Sequence, residues 1–211
     1  MMPSRCKTLV ERYRLSFTTG GLFLLEAPVV AEHYLTTQDW EQTRSHVRSG
    51  NVLQVRTAAA STRISKELIA RLELLDFEEL EVLIDSNLRD RAHLLWVAAC
   101  RRYAFVRDFA REVLRENFLV LRRQLSAADY EAFVSAKALW HDELDELAPS
   151  TQRKLRQNLF RMLREAELVS EQLLIQPTVL TPQLALLLAR RGVDELLVFP
   201  ASDQEIKRWL K

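Results

Sequence analysis

Apolar residues recur at three- and four-residue spacing along most of the chain, the period of helices that turn one face to a core. Ile64, Leu68, Leu72 and Leu75 form one such stripe, which predicts a long helix from Thr57 to about Leu75. Leu155, Leu159, Met162, Leu163 and Ala166 form another, in a helix opened by Pro149–Ser150 and running to about Ala166. Between them, LRDRAHLLWVAACRRYAFVRDFAREVLREN reads as two helices that meet near Arg101–Tyr103. Its aromatics Trp96, Tyr103, Phe105, Phe109 and Phe118 keep helical spacing, so core packing is expected of them rather than base stacking.

End signals place the remaining elements. GGLFLLEAPVVAEHYL reads as a helix broken or kinked near Pro28. The next stretch, TTQDWEQTRSHVRSGN, offers Thr36 or Thr37 as cap, acids in its first turn, bases in its last and Gly50 at its stop. DFEELEVLIDSN is short and acidic, and Ser126 with Asp129 resembles a capping box. Pro182 opens a helix that ends at Gly192, and SDQEIKRWLK closes the chain as a short helix. The run LVSEQLLIQPTVL, rich in aliphatic and β-branched residues and followed by Pro182, is the best strand candidate. The fold class is therefore mainly α: a compact multi-helix protein with helix-turn-helix and winged-helix-like parts and a small β element near 168–180. Residues 1–76, 77–148 and 149–211 make an N-terminal, a central and a C-terminal part that can share one core.

Composition supports this picture: only 4 Gly and 6 Pro leave little room for tight turns. Cys6 and Cys100 form no CxxC pair, so reduced thiols are expected. No secretory leader is visible, and the longest apolar runs (LFLL at 22–25 and LALLLA at 184–189) are too short to span a bilayer. A soluble cytoplasmic protein is the expectation.

Total charge is nearly balanced, 30 Lys+Arg against 29 Asp+Glu, but the distribution is not. RSHVRSGNVLQVRTAAASTRISK, residues 44–66, contains no acid and carries Arg44, Arg48, Arg56, Arg63 and Lys66. PSTQRKLRQNLFRMLR, residues 149–164, repeats the pattern with Arg153, Lys154, Arg156, Arg161 and Arg164. Local patches rather than totals attract phosphate. In the first stretch a short helix, a connection and a longer helix beginning with small residues have the outline of a helix-turn-helix. Ser61 and Thr62 would then bond phosphate or base edges, with Arg56 and Arg63 reaching phosphate or guanine. The second stretch, a helix followed by candidate strands, has the order of a winged helix. The plainer alternative is a pair of ordinary helices whose basic faces meet solvent or protein. Within 101–123, Asp108, Glu112 and Glu116 at helical spacing favour arginines paired inside the fold.

Catalytic and cofactor signatures are missing. The glycines form neither GxGxxG nor GxxxxGK[ST]. His33, His46, His93 and His141 lack metal-ligand spacing, so neither metal nor cofactor is expected. His141–Asp142–Glu143 reads as a solvated turn rather than an acid–base cluster, and no Ser or Cys sits in a nucleophile context.

Three segments carry a family resemblance: GNVLQVRTAAASTRISKELIARLELL, LLWVAACRRYAFVRDFAREVLRENF, and LSAADYEAFVSAKALWHDELDELAPSTQRKLRQNLFRMLREAELV. From about Leu15 onward the chain resembles the BrxA family, small core components of BREX (bacteriophage exclusion) phage defence. The resemblance implies a compact, helical, cytoplasmic protein without assigned enzymatic activity, encoded beside a methyltransferase, a phosphatase-like protein and ATPases. It also implies binding to double-stranded DNA, with other BREX proteins as further partners. Docking of those proteins, or RNA binding, stays open as an alternative role. The expected DNA contacts rest on charge and position alone: Arg44, Arg48, Arg56, Ser61, Thr62, Arg63, Lys66, Arg153, Lys154, Arg156 and Arg161. Oligomeric state is open, a monomer being the simpler expectation.

Overall fold

The computed structural model describes residues 11–49, 52–53 and 57–211; Cys6, Gly50 and Arg56 lie outside them. The expected mainly helical fold is what forms. Helix α1 spans Glu26–Thr37 and α2 Trp40–Ser49. Pro28 occupies the first turn of α1, where a missing N–H leaves no bond unmade, so the helix starts around Pro28 instead of breaking at it. Thr36 and Thr37 do not cap α2. They end α1, their hydroxyls donating back to Glu32 O and His33 O at 3.0 Å. Asp39 starts α2 instead, its Oδ1 accepting from Glu41 N at 2.7 Å and Gln42 N at 3.1 Å.

Helix α3, Ala58–Leu72, begins at the predicted Thr57, whose hydroxyl accepts from Ala60 N. Helix α4, Phe77–Asp85, opens on a reciprocal Asp76–Glu79 box. Helix α5, Leu88–Arg102, ends where extended backbone at Tyr103 separates it from α6, Ala104–Phe109. A π-helical stretch, Ala110–Arg115, continues α6 into α7, Glu116–Leu119. Helix α8, Ala127–Ala138, carries the predicted Ser126–Asp129 box, and α9 covers Pro149–Glu165. Helices α10, Pro182–Ala189, and α11, Asp203–Trp209, complete the order.

Helix α5 is the hub. Residues 92–100 are buried on every side, with α3, α4 and α9 packed around it. Its Trp96 indole donates to Val198 O at 3.1 Å, tying in the C-terminal segment. One hydrophobic cluster reaches from Tyr13 to Ile206. Four of the five predicted core aromatics, Trp96, Tyr103, Phe105 and Phe109, are fully buried, and Phe118 packs at the edge. Cys100 is a buried free thiol whose ionisation is pushed well up by burial, which leaves it inert.

The aliphatic run near 168–180 gives less than paired strands. Among the described residues it makes two isolated antiparallel bridges, Val169 with Ile175 and Gln124 with Leu174. The turn between begins where α9 ends in a Schellman arrangement: Leu168 N–H reaches Leu163 O and Glu167 N–H reaches Arg164 O, both at 2.9 Å. The left-handed position of that motif, usually glycine, is held by Glu167 at φ 55°.

Candidate nucleic-acid interface

An extended segment, residues 11–22, holds the two basic helices in register. Near its middle, Ser16 Oγ meets Tyr103 Oη, which donates to Glu67 of α3, and Asn158 of α9 donates to Phe17 O at 2.9 Å. Four to five residues on, Arg71 of α3 donates to Gly21 O at 2.8 Å and approaches Met162 Sδ of α9 at 3.7 Å. Glu165 of α9 accepts the Leu22 N–H. A side chain at position 21 would overlap the Glu165 carboxylate, so this approach requires Gly21. Contacts along the segment thus climb both helices together: 67 to 71 on α3 and 158 to 165 on α9. The two helices therefore run the same way along it, and their N-terminal halves extend past the same end.

Helix periodicity then places the cations. Residues four apart share a face, so Arg63 stands one turn before Glu67 and Lys154 one turn before Asn158, on the faces turned to the segment. Arg14 lies exposed in the segment. Arg14, Arg63, Lys66, Arg153 and Lys154 are all exposed, and none has an anionic partner among the described residues. Exposed Arg48 of α2, which packs on α3, is likewise unpaired among them. Thr62 is exposed beside Arg63, whereas Ser61 turns inward and is buried.

Other expected contacts are already engaged. Arg44 pairs with Glu41 at 3.2 Å and with Glu73. Arg156 pairs with Glu131 of α8 at 2.6 Å, and Arg161 with Glu165 at 2.7 Å. In the central arginine-rich stretch, pairing inside the fold is what happens, mostly across elements, with Arg107 and Asp108 of α6 paired at 3.5 Å along the helix. Arg101 binds Glu79 and Glu195, Arg111 binds Asp194, Arg115 binds Asp203 and Arg122 binds Asp129. Asp108 and Glu112 serve Lys137.

The His141–Glu143 turn differs from the solvated one expected. Both residues are buried, the imidazole 3.1 Å from the carboxylate and stacked on Tyr13 at 3.7 Å. Burial pushes the Glu143 carboxyl up, but bonds from backbone N–H groups, including that of Tyr13, outweigh it and hold it below the usual carboxylate range. With Arg12 on Glu143 and Glu146, this turn anchors the start of the segment just before α9.

Arg71 was missed from the sequence. It is 1% exposed, donates to Glu67 at 2.7 Å and lies under the rings of Phe23 and Tyr103. Its signal was legible: position 71 sits on the apolar stripe of α3, three residues after Leu68 and four before Leu75. No cluster of metal-ligating side chains occurs among the described residues, and no helix among them is long and apolar enough to cross a membrane.

These features define a mainly α-helical protein that buries one set of arginines and leaves other cations, along two helices that run the same way, unpaired among the described residues. The chain belongs to the BrxA family, whose profile matches residues 11–192, and is thus a component of BREX phage defence. It is 27% identical over 180 residues to the BREX protein BrxA of Escherichia coli O9:H4 (strain HS), covering 84% of each chain. To the BREX protein BrxA of Paramagnetospirillum magneticum (strain ATCC 700264 / AMB-1) it is 24% identical over 167 residues, covering 76% of this chain and 80% of that one. The crystal structure of an uncharacterized protein from Magnetospirillum magneticum superposes with a TM-score of 0.74 at 22% identity, over 89% of this chain and 96% of that one. That likeness establishes a shared fold.

Proposed function

We propose that the chain is a non-catalytic, cytoplasmic accessory of BREX defence that binds double-stranded DNA, mainly through phosphates. The N-terminal halves of α3 and α9 make the contact, helped by Arg14 and by Arg48 of α2. One observation supports the reading: exposed cations unpaired among the described residues fall on the N-terminal halves of two helices that run the same way along the extended segment. Unpaired surface cations hold condensable charge that phosphate can take up, releasing counterions. Cations already bound to carboxylates offer much less. The helix-turn-helix outline of α2 and α3 and the winged-helix order after α9 belong to the same reading.

The test is anisotropy of a labelled 30-base-pair duplex of random sequence, titrated with protein at several salt concentrations. Neutralising ~5 phosphates predicts a log–log salt slope of about −4 to −5. Absence of binding at low salt would reassign the cations to a protein partner, and preference for an RNA hairpin would reassign them to RNA. One feature favours the adaptor role as a second reading: Leu139 and Trp140 stand largely exposed side by side after α8. Trp140→Ala would then lose a BREX partner in pull-downs while keeping duplex binding.

A further inference from the structure

Helix α7 ends in a second Schellman arrangement: Arg122 N–H reaches Asn117 O at 2.8 Å and Leu121 N–H reaches Phe118 O at 3.1 Å. Its left-handed position, φ 61°, is held by Leu121, which is 74% exposed beside Val120 at 68%. Neither residue belongs to the hydrophobic core or packs against it. Glycine would suit this backbone better and would show water no apolar side chain, so the fold supplies no reason for a leucine here. Strained backbone of this kind gathers at ligand clamps.

The chain then extends alongside Leu173–Ile175. Leu125 N–H donates to Leu173 O at 2.9 Å, and Arg123 O accepts from Ile175 N–H at 2.7 Å. Gln124 and Leu174, bridged between those bonds, are therefore a non-hydrogen-bonded antiparallel pair, whose main-chain groups point away from each other's strand. Those of Leu174 are taken on the far side by Ser170: Ser170 N–H donates to Leu174 O at 2.9 Å and Leu174 N–H to Ser170 Oγ at 3.2 Å. Gln124 forms the outer edge. It is exposed, and neither its N–H nor its C=O has a partner among the described residues. An open edge of this kind is a template for a further strand.

Charge selects the occupant. Arg122 and Arg123 are both exposed beside the edge; Asp129 holds Arg122 at 2.8 Å, and Arg123 has no anionic partner among the described residues. A second copy paired across a twofold axis would set these arginines against their own mates. A phosphate would leave Val120 and Leu121 uncovered. We propose that the edge at 121–125 docks an extended, acidic segment of a partner protein. Its main chain bonds Gln124, its acids face Arg122 and Arg123, and an apolar side chain rests on Val120 and Leu121. Leu139 and Trp140 lie one α8 length away, about 18 Å, and the edge pairs with the chain that follows the C-terminal end of α9. The inference therefore depends neither on duplex binding nor on that exposed pair.

The test is selection of a random 12-residue peptide library, displayed on phage, against the immobilised full chain. Anisotropy of the enriched peptides with wild type and variants follows. Enriched peptides should alternate apolar residues with Asp or Glu. Their binding should weaken at least tenfold in Leu121→Gly, in Gln124→Pro and in Arg123→Glu. Proline at 124 removes no hydrogen bond from the fold among the described residues, because the Gln124 N–H makes none. Glycine suits the backbone at 121, so the melting temperature of Leu121→Gly should hold or rise, which separates lost docking from lost folding. No enrichment, enrichment of basic peptides, or binding indifferent to Leu121→Gly overturns the proposal. A chain that sediments as a dimer and becomes a monomer in Gln124→Pro also overturns it, giving the edge to a second copy.

Discussion

In the C-terminal halves of α3 and α9, charged side chains end inside the fold; a turn or two earlier on the same faces they end in solvent. Arg71 lies in the core against Glu67, the Gly21 carbonyl and two aromatic rings. Glu165 holds the Leu22 N–H. Arg63 and Lys154 continue those faces and touch no anion among the described residues. On α3 residue type and helix are the same in both halves, so burial and partner decide the role. A desolvated arginine must be paired to be tolerated, and once paired it pins the elements that supply its partners. An arginine left in water keeps its charge available to a phosphate.

The comparison breaks most sharply at Arg71. Arg71→Ala leaves Glu67 buried without its cation and should cost about 3–5 kcal/mol, read by urea unfolding. A loss below about 1 kcal/mol would mean that the two halves of α3 do not differ as described.

A second large effect belongs to pH. Burial keeps the His93 pKa at about 4, below the ordinary value of 6.5, so the unfolded chain binds the proton more readily than the folded one. The resulting stability is complete above about pH 6.5 and is lost as pH falls toward 4, amounting to about 2–3 kcal/mol. Urea midpoints measured across that window should fall in the wild type and flatten in His93→Gln.

On the exposed side, Arg63→Ala with Lys154→Ala should leave urea stability within about 0.5 kcal/mol of wild type. The same pair should weaken duplex binding by about 1–2 kcal/mol at low salt, seen in anisotropy titrations. The smallest effect concerns Glu167. Glycine suits its φ of 55° better, and the exposed Arg89 pair it would lose is worth little. Glu167→Gly should therefore hold or slightly raise the melting temperature, by calorimetry.

Helix stripes, the break at Tyr103 and the Asp129 box were legible because each depends on residues within a few positions. The α2 cap was misread because Thr36, Thr37 and Asp39 are all competent caps, and the choice depends on where α1 ends. The run at 168–180 has strand composition, but its pairing is set by the Schellman turn at Glu167 and by Gln124 from elsewhere in the chain. At the candidate site, the basic stretches were visible, but which arginines were engaged was not. Arg44 and Arg156 are engaged by Glu73 and Glu131, acids far away in sequence. Arg14 escaped notice because an isolated arginine in a non-helical segment carries no periodic signal.

The most direct measurement is the salt dependence of duplex binding for wild type and for Arg63→Ala with Lys154→Ala, on one labelled 30-base-pair duplex. Removing two phosphate contacts should make the log–log slope about 2 units shallower than in wild type, with the fold intact by circular dichroism. An unchanged slope and affinity in the double variant would contradict the assignment of these helix ends to DNA.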